Sequence, residues 1–349
     1  MSGVIAIVEH VTPTWLTDVL TRAGHLTAGK VISATVTRVH DEQLHSISYF
    51  LATSYSPDAP ATAPAHLFLK LPRPHAPDSW VAAAGAREVK LYRAIERDRG
   101  DLPVIPCYDA AYDPDSPGYH LLLADLSATH NQPAWHLTIA DLYVTRTVDS
   151  LAAFHAYWWG HPRLPIMGDL MSAARRHDEV ARLRDTFPEF ADALGDRLDA
   201  KGRRIYDRLL AALPTLWESD SDPRDRTLLH GDAHFWNFLY PRDPTARDTY
   251  MLDWQTYRPG LGVQDLAYTI VLRYPHRTPA NERALVGRYH ERLQAGGVTH
   301  YSWERCWEDY RRSAAEQLVV PLSWRATNGL FVGRALAAFR DLACDEFIP

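Results

Sequence analysis

The sequence predicts an α+β protein made of two lobes. A small β-rich N-terminal lobe spans residues 1–125, and a large, mainly helical C-terminal lobe spans residues 126–349 and carries one β-hairpin. Three observations lead there. β-Branched, alternating segments crowd the first third of the chain. From about Thr138 onward, apolar residues recur at helical spacing. The β-like interruption of that helical run is the stretch from Leu228 to Trp254.

Val31 to Val39 alternates and is rich in β-branched residues. Ser46 to Tyr55 follows, with Ile47, Tyr49 and Leu51 on one face. The polar connector His40-Asp41-Glu42-Gln43-Leu44-His45 joins the two as a hairpin. Pro57 to Pro64 is Pro- and Ala-rich and reads as a loop, and a third strand, Ala65 to Leu71, stops at Pro72 and Pro74. A helix is expected from Ser79 to Arg97. A further apolar strand, Tyr119 to Ala124, follows the turn-forming run Asp113 to Gly118. In the second lobe Leu142, Val148, Leu151, Ala152, His155 and Trp158 trace one helical stripe up to Gly160. More helices are expected within 170–217, 279–295, 301–320 and 329–343.

With 349 residues, 46% hydrophobic and 23% charged, the chain has the composition of a globular protein large enough to bury a core and a cleft. Its 37 basic and 43 acidic residues disfavour a nucleic-acid partner recognised through an overall basic surface. Cys107, Cys306 and Cys344 lie far apart, without disulfide or zinc spacing. The first residues lack a basic region before their apolar run, which Glu9 interrupts, and no apolar stretch approaches membrane-spanning length. The expectation is a cytoplasmic protein that engages neither membrane nor nucleic acid.

Two clusters carry chemistry. The first is His230-Gly231-Asp232-Ala233-His234-Phe235-Trp236-Asn237, followed by Leu252-Asp253-Trp254-Gln255. Asn237 and Asp253 are 16 positions apart about a turn-rich middle, so a hairpin centred there returns Asp253 to Asn237, with Asp232 just outside. Two carboxylates and an amide oxygen are hard donors suited to Mg²⁺, with one carboxylate left for a substrate proton. The second cluster lies in the first lobe. Lys70 shares a strand face with His66 and Phe68. Glu88 shares a helix stripe with Leu91, Tyr92 and Ile95, while Arg87, Lys90, Arg93 and Arg97 take the wet side. A carboxylate on a core-facing stripe needs a cation, and Lys70 is the nearest. A Lys–Glu pair upstream of Asp…Asn…Asp is the set of parts that phosphoryl transfer from a nucleotide uses.

These stretches resemble the aminoglycoside phosphotransferase-like branch of the protein-kinase-like fold, which includes choline kinase-like and ecdysteroid kinase-like small-molecule kinases. The resemblance runs in order through Ala65–Pro72, Arg87–Tyr92, Leu121–Ser127, Leu151–Ala156, His230–Asn237, Leu252–Gln255 and Gly262–Ala267. It implies a bilobal kinase-like fold and an ATP- and Mg²⁺-dependent enzyme that phosphorylates a hydroxyl of a small molecule. By the same resemblance Asp232 is the catalytic base, and Asn237 and Asp253 hold Mg²⁺. Lys70, positioned by Glu88, binds the α/β-phosphates, and the backbone of Ala124 and Leu126 meets adenine. The chain departs from the family's pattern in having Ala124 where an acidic residue is common, and in having no glycine between His40 and His45. A phosphate cradle there would use backbone N–H groups, with Ser46 or Ser48.

The residues leave two other readings open. His230, Asp232, His234 and Asp253 could ligate zinc in a metal-dependent hydrolase, although Asn237, Lys70 and Glu88 then have no role. A nucleotide-binding pseudokinase would keep the same parts without turnover. His155, on an apolar stripe, is expected to be a satisfied core histidine, and Asp265 to organise the loop before Asn237.

Overall fold

The hydrophobic alternation of the first third folds into one sheet. The structure is a computed structural model describing residues 3–41, 46–73, 79–95, 102–115, 118–134, 139–169, 172–218 and 223–348. Two compact units divide the chain. One comprises Met1–Asn131, Pro241–Ala246 and Tyr250–Thr256; the other comprises Gln132–Tyr240, Arg247–Thr249 and Tyr257–Pro349.

In the first unit helix α1 (Pro13–Arg22) precedes strands β1 (Val31–His40), β2 (Ser46–Tyr55) and β3 (His66–Pro72). Helix α2 (Ser79–Ile95) and strands β4 (Cys107–Tyr112) and β5 (Tyr119–Ala124) follow. The sheet order is β1-β2-β3-β5-β4, with every neighbouring pair antiparallel. Each strand therefore presents alternate residues to opposite faces. Leu67, Leu69 and Leu71 of β3 go to one face, where they pack with Leu51 and Leu122 against Leu16, Val19 and Leu20 of α1. Burying each of these leucines stabilises the fold by roughly 1.5–3 kcal/mol. Helix α1 is fixed at its start by Pro13 and by the Thr12 hydroxyl, which accepts a hydrogen bond from the Trp15 N–H at 3.1 Å. Lys70, between two of those leucines, goes to the opposite face, the side of α2.

The approach of α2 to the sheet depends on a glycine. A Cβ on Gly85 would lie 2.3 Å from the ring of Tyr119 on β5. The helix turn carrying Glu88 therefore sits one ring thickness from the strand beside Lys70. As the stripe requires, Glu88, Leu91, Tyr92 and Ile95 are buried and Lys90 and Arg93 are exposed, whereas Arg87, expected on the wet side, is half-buried. Arg97 and the connector residues 42–45 lie outside the described residues.

Two short strands, β6 (His130–Asn131) and β7 (Thr227–Leu229), bracket helices α3 (Asp141–Trp158), α4 (Leu164–Met167), α5 (Ala173–Leu194) and α6 (Ala200–Glu218). Next come β8 (Phe238–Pro241), β9 (Tyr250–Met251) and β10 (Arg258–Gly260), then α7 (Val263–Ala267), α8 (Pro279–Ala295), α9 (Trp303–Glu316), α10 (Val319–Ser323) and α11 (Leu330–Asp341). Strand β10 pairs antiparallel with β7, and α3 packs on α8 and β7. The expected stripe of α3 is buried except at Leu142, which is 47% exposed in the first turn. Helix α8 carries a capping box between Thr278 and Asn281. Among the described residues no helix is long and apolar enough to cross a membrane, and the three cysteines form no disulfide.

Gly85→Ala tests the close approach. In an open helix the change gains about 1 kcal/mol. Here overpacking against Tyr119 reverses the sign, and urea unfolding is expected to show a loss of roughly 1–3 kcal/mol.

Candidate active site

The first unit builds a cation site. Lys70 Nζ donates to Glu88 Oε2 at 2.7 Å and to Asp253 Oδ1 at 3.0 Å. The Lys70 and Glu88 side chains are 7% and 3% exposed, whereas Asp253 is 41% exposed. Burial would drive the ammonium toward neutrality, but Glu88 and then Asp253 more than offset it and hold its pKa above the usual lysine range. The segment carrying Asp253 is held at several points. The Met251 N–H donates to Pro103 O at 2.8 Å, and Arg87 Nε donates to Gln255 O at 3.1 Å. The Trp254 N–H donates to Glu88. Asp253 itself has φ 65°, a left-handed conformation that costs a non-glycine residue on the order of 1 kcal/mol. That strain sits beside the one partly exposed carboxylate of the triad.

The second unit builds a carboxylate site on the loop after β7. Gly231, at φ 83°, turns the chain so that successive amides face inward. Asp265 of α7 collects them, accepting from His230 N–H at 2.6 Å and Gly231 N–H at 3.0 Å. His155 Nε2 lies 3.3 Å from the same carboxylate, and its Nδ1 lies 2.8 Å from the Tyr289 hydroxyl, so His155 is the satisfied core histidine expected. Burial would raise the Asp265 pKa. The His155 hydrogen bond and charge, His230 and the Gly231 amide together hold it below the usual carboxylate range.

So fixed, the loop carries Asp232 into a one-turn helix that ends at Asn237. Asn237 Nδ2 donates to the Asp232 carbonyl at 2.9 Å and to its Oδ2 at 3.3 Å. Because the nitrogen faces Asp232, the amide Oδ1 is directed elsewhere, as a hard-cation ligand requires. The Asp232 side chain is 36% exposed. The Tyr268 hydroxyl donates to its Oδ1 at 2.6 Å, and His234 Nε2 stands 3.4 Å from Oδ2. A cavity of about 420 Å³ in this unit is lined by Gly231, Tyr268, Trp217, Trp324, Val319 and Val320 among others. Of the aromatic residues after residue 300, Tyr301 and Tyr310 are core, whereas Trp324 lines this cavity.

The expected site residues thus fall into two groups: Lys70, Glu88 and Asp253 in one unit, Asp232 and Asn237 in the other. Near the expected adenine position the Ala124 N–H donates to Pro106 O at 2.8 Å, leaving the Leu126 amide as the donor of that pair. Ser46 and Ser48 are buried on β2. The zinc set does not form. Among the described residues no three His, Cys, Asp or Glu side chains are gathered to hold a metal ion, and His230 Nδ1 instead accepts the Asp232 N–H at 3.3 Å. The sequence reading missed Tyr268 and the Lys70–Asp253 contact.

An antiparallel sheet carrying a buried Lys–Glu pair, together with a helical unit presenting Asp and Asn on one loop, defines a phosphotransferase of the protein-kinase-like class. The family model described as Phosphotransferase enzyme family matches residues 56–306, and the chain belongs to that family. Its activity is phosphoryl transfer to a hydroxyl of a small molecule.

Solved structures are similar over nearly the whole chain. One, from Ralstonia eutropha JMP134, is provisionally designated an aminoglycoside phosphotransferase. It is 13% identical, with a TM-score of 0.54, covering 96% of this chain and 98% of that one. A GDP complex of a mutant aminoglycoside 2'-phosphotransferase IIIa is 13% identical with TM-score 0.48, covering 96% and 99%. A microcompartment-associated aminopropanol kinase is 14% identical with TM-score 0.45, covering 96% and 99%. No curated protein matches the chain.

Asp265→Asn tests the loop anchor. Its lowered pKa means that the carboxylate's contribution is present above the unfolded value and is lost as pH falls through the folded value. Urea unfolding at pH 7 is expected to show a loss of roughly 1–3 kcal/mol. That difference from the parent should narrow below about pH 4.

Proposed function

We propose that the chain moves the γ-phosphoryl group of ATP, bound with Mg²⁺, to an alcohol that enters the cavity beside Asp232. The single observation that carries this reading is the half-exposed Asp232 carboxylate, fixed by Asn237 on a loop anchored by buried Asp265. Such a carboxylate can take the acceptor's proton as the hydroxyl oxygen bonds to phosphorus and the bond to the ADP oxygen breaks. Asn237 and Asp253 would hold Mg²⁺, which when bound neutralises charge on the phosphates. Both offer oxygen donors, the chemistry a hard cation needs.

Lys70 would contact the α/β-phosphates, its ammonium kept charged and directed by Glu88 and Asp253. The Leu126 N–H and the Ala124 carbonyl would meet adenine, since the Leu126 carbonyl accepts from the Thr129 and His130 N–H groups at 3.0 and 2.8 Å. The cavity wall sets Arg176, Arg226 and Arg258 against Asp169, Glu179, Asp265 and Glu316, beside apolar Trp217, Leu261, Val319 and Val320. A polycationic acceptor is best matched by a large surplus of carboxylates, so this nearly balanced lining favours an acceptor with an apolar body and little net charge.

An ATP-consumption screen over neutral and amino alcohols, sugars, sterol-like alcohols and aminoglycosides tests the reading. Asp232→Asn is expected to lower kcat on any acceptor found by about a hundredfold or more, leaving the Kd for MgATP within a few-fold. A wild-type protein that binds MgATP and transfers to no acceptor would support the binding-module reading instead.

A further inference from the structure

We propose that Tyr268 is a positioning residue for the base. With Arg273 behind it, Tyr268 holds the Asp232 carboxylate in the orientation that accepts the acceptor's proton. The inference rests on the reading of Asp232 given above and adds two residues to it.

The argument begins with helix geometry. After α7 the chain continues as a π-helix, Tyr268–Arg273. In an α-helix, residues five apart differ by about 140° around the axis and cannot share a contact. The wider π turn brings them onto one side, and π segments are rare and concentrate at functional sites. Here Arg273 Nη2 donates to the Tyr268 hydroxyl oxygen at 2.7 Å, and that hydroxyl donates onward to Asp232 Oδ1 at 2.6 Å. Guanidinium, phenol and carboxylate thus form one directed chain. The cation polarises the phenol O–H, which strengthens its bond to the anion. Burial and then Asp232 raise the Tyr268 pKa, so the phenol remains a donor.

The far end of the chain is fixed as firmly. The Arg273 guanidinium carbon lies 5.2 Å from the Tyr268 ring centroid, 5.1 Å from that of Trp324 and 4.9 Å from that of Phe331. Its Nε is buried and has no hydrogen-bond partner. An arginine that leaves a buried N–H unsatisfied while keeping its Nη2 on the phenol is held by that contact and by the three rings. The Arg334 guanidinium, nearby, donates to Leu272 O at 2.7 Å, which secures the π turn from outside.

The carboxylate consequently has defined roles for each oxygen. Oδ2 faces Asn237 Nδ2 and His234 Nε2, and Oδ1 faces Tyr268. Among the described residues, the hydrogen bond to Oδ1 comes from Tyr268. Without the phenol, the carboxylate would be held through Oδ2 alone and would gain freedom about its terminal torsion. Tyr268 and Trp324 also line the cavity, so an alcohol arriving through it meets the carboxylate alongside the phenol.

The test uses the acceptor that gives the greatest ATP consumption in the screen. For Tyr268→Phe, kcat is expected to fall by about tenfold to a hundredfold, the scale for a misplaced reacting group. The acceptor KM and the Kd for MgATP should stay within twofold, and near-UV circular dichroism should match the parent. Arg273→Met should lower kcat similarly, and the double variant should be no worse than the poorer single, because the pair acts as one unit.

A second readout needs no acceptor. With 3-fluorotyrosine incorporated, the resonance lost in Tyr268→Phe should also shift in Asp232→Asn. A Tyr268→Phe enzyme with the parental kcat, multiplicative effects in the double variant, or a Tyr268 resonance indifferent to Asp232→Asn would overturn the inference while leaving the kinase reading intact. A parent protein that binds no nucleotide and consumes no ATP would remove that reading and this inference together.

Discussion

One buried ammonium group organises the first unit. Lys70 takes Glu88 from α2 at 2.7 Å and Asp253 from a segment 183 residues further on at 3.0 Å. An isolated charge at 7% exposure would be strongly unfavourable, and one carboxylate of equal burial would leave a pair whose desolvation cancels much of its attraction. A second, partly exposed carboxylate changes the balance. It holds the cation charged while leaving negative charge at the unit's surface, where Asp253 sits in a strained left-handed conformation. Gly85 supports this arrangement from behind, because only a residue without Cβ lets α2 come close enough to Tyr119 for Glu88 to reach Lys70.

The helical unit solves the complementary problem, presenting a carboxylate at 36% exposure without letting it wander. Its solution is hierarchical. Asp265 is buried and consumes the loop amides, so the backbone at His230 and Gly231 cannot relax. Asn237 and Tyr268 then fix the two oxygens of Asp232 from opposite directions. Each step moves outward from a fully buried anchor to a partly hydrated carboxylate, the order in which precise placement is gained with fewest exposed constraints.

Much of this was legible in the sequence because it follows simple periodicities. A period of two separated Lys70 from Leu67 and Leu69, and a period of 3.6 placed Glu88 among Leu91, Tyr92 and Ile95. What was missed follows from departures from those periods. Tyr268 and Arg273 are five apart, which reads as two different faces until the π turn is known. The Lys70–Asp253 contact depends on tertiary folding across the length of the chain and leaves no local pattern. Strand β4, Cys107-Tyr-Asp-Ala-Ala-Tyr, has no β-branched residue and is a strand because β5 pairs with it. Leu142, counted with the stripe of α3, lies on the other side of that helix once each residue is turned by about 100°, and it is exposed.

The chain contains four lysines, and Lys30, Lys90 and Lys201 are exposed, which makes the central interaction directly measurable. Competitive trace labelling with an amine-reactive reagent, quantified per residue by mass spectrometry, compares Lys70 with those three in the presence and absence of MgATP. Lys70 should react at least about tenfold more slowly than the others, as a raised pKa and burial require, and it should be further protected by nucleotide while they are not. A Lys70 that reacts like Lys30 and ignores MgATP would contradict the account at its foundation.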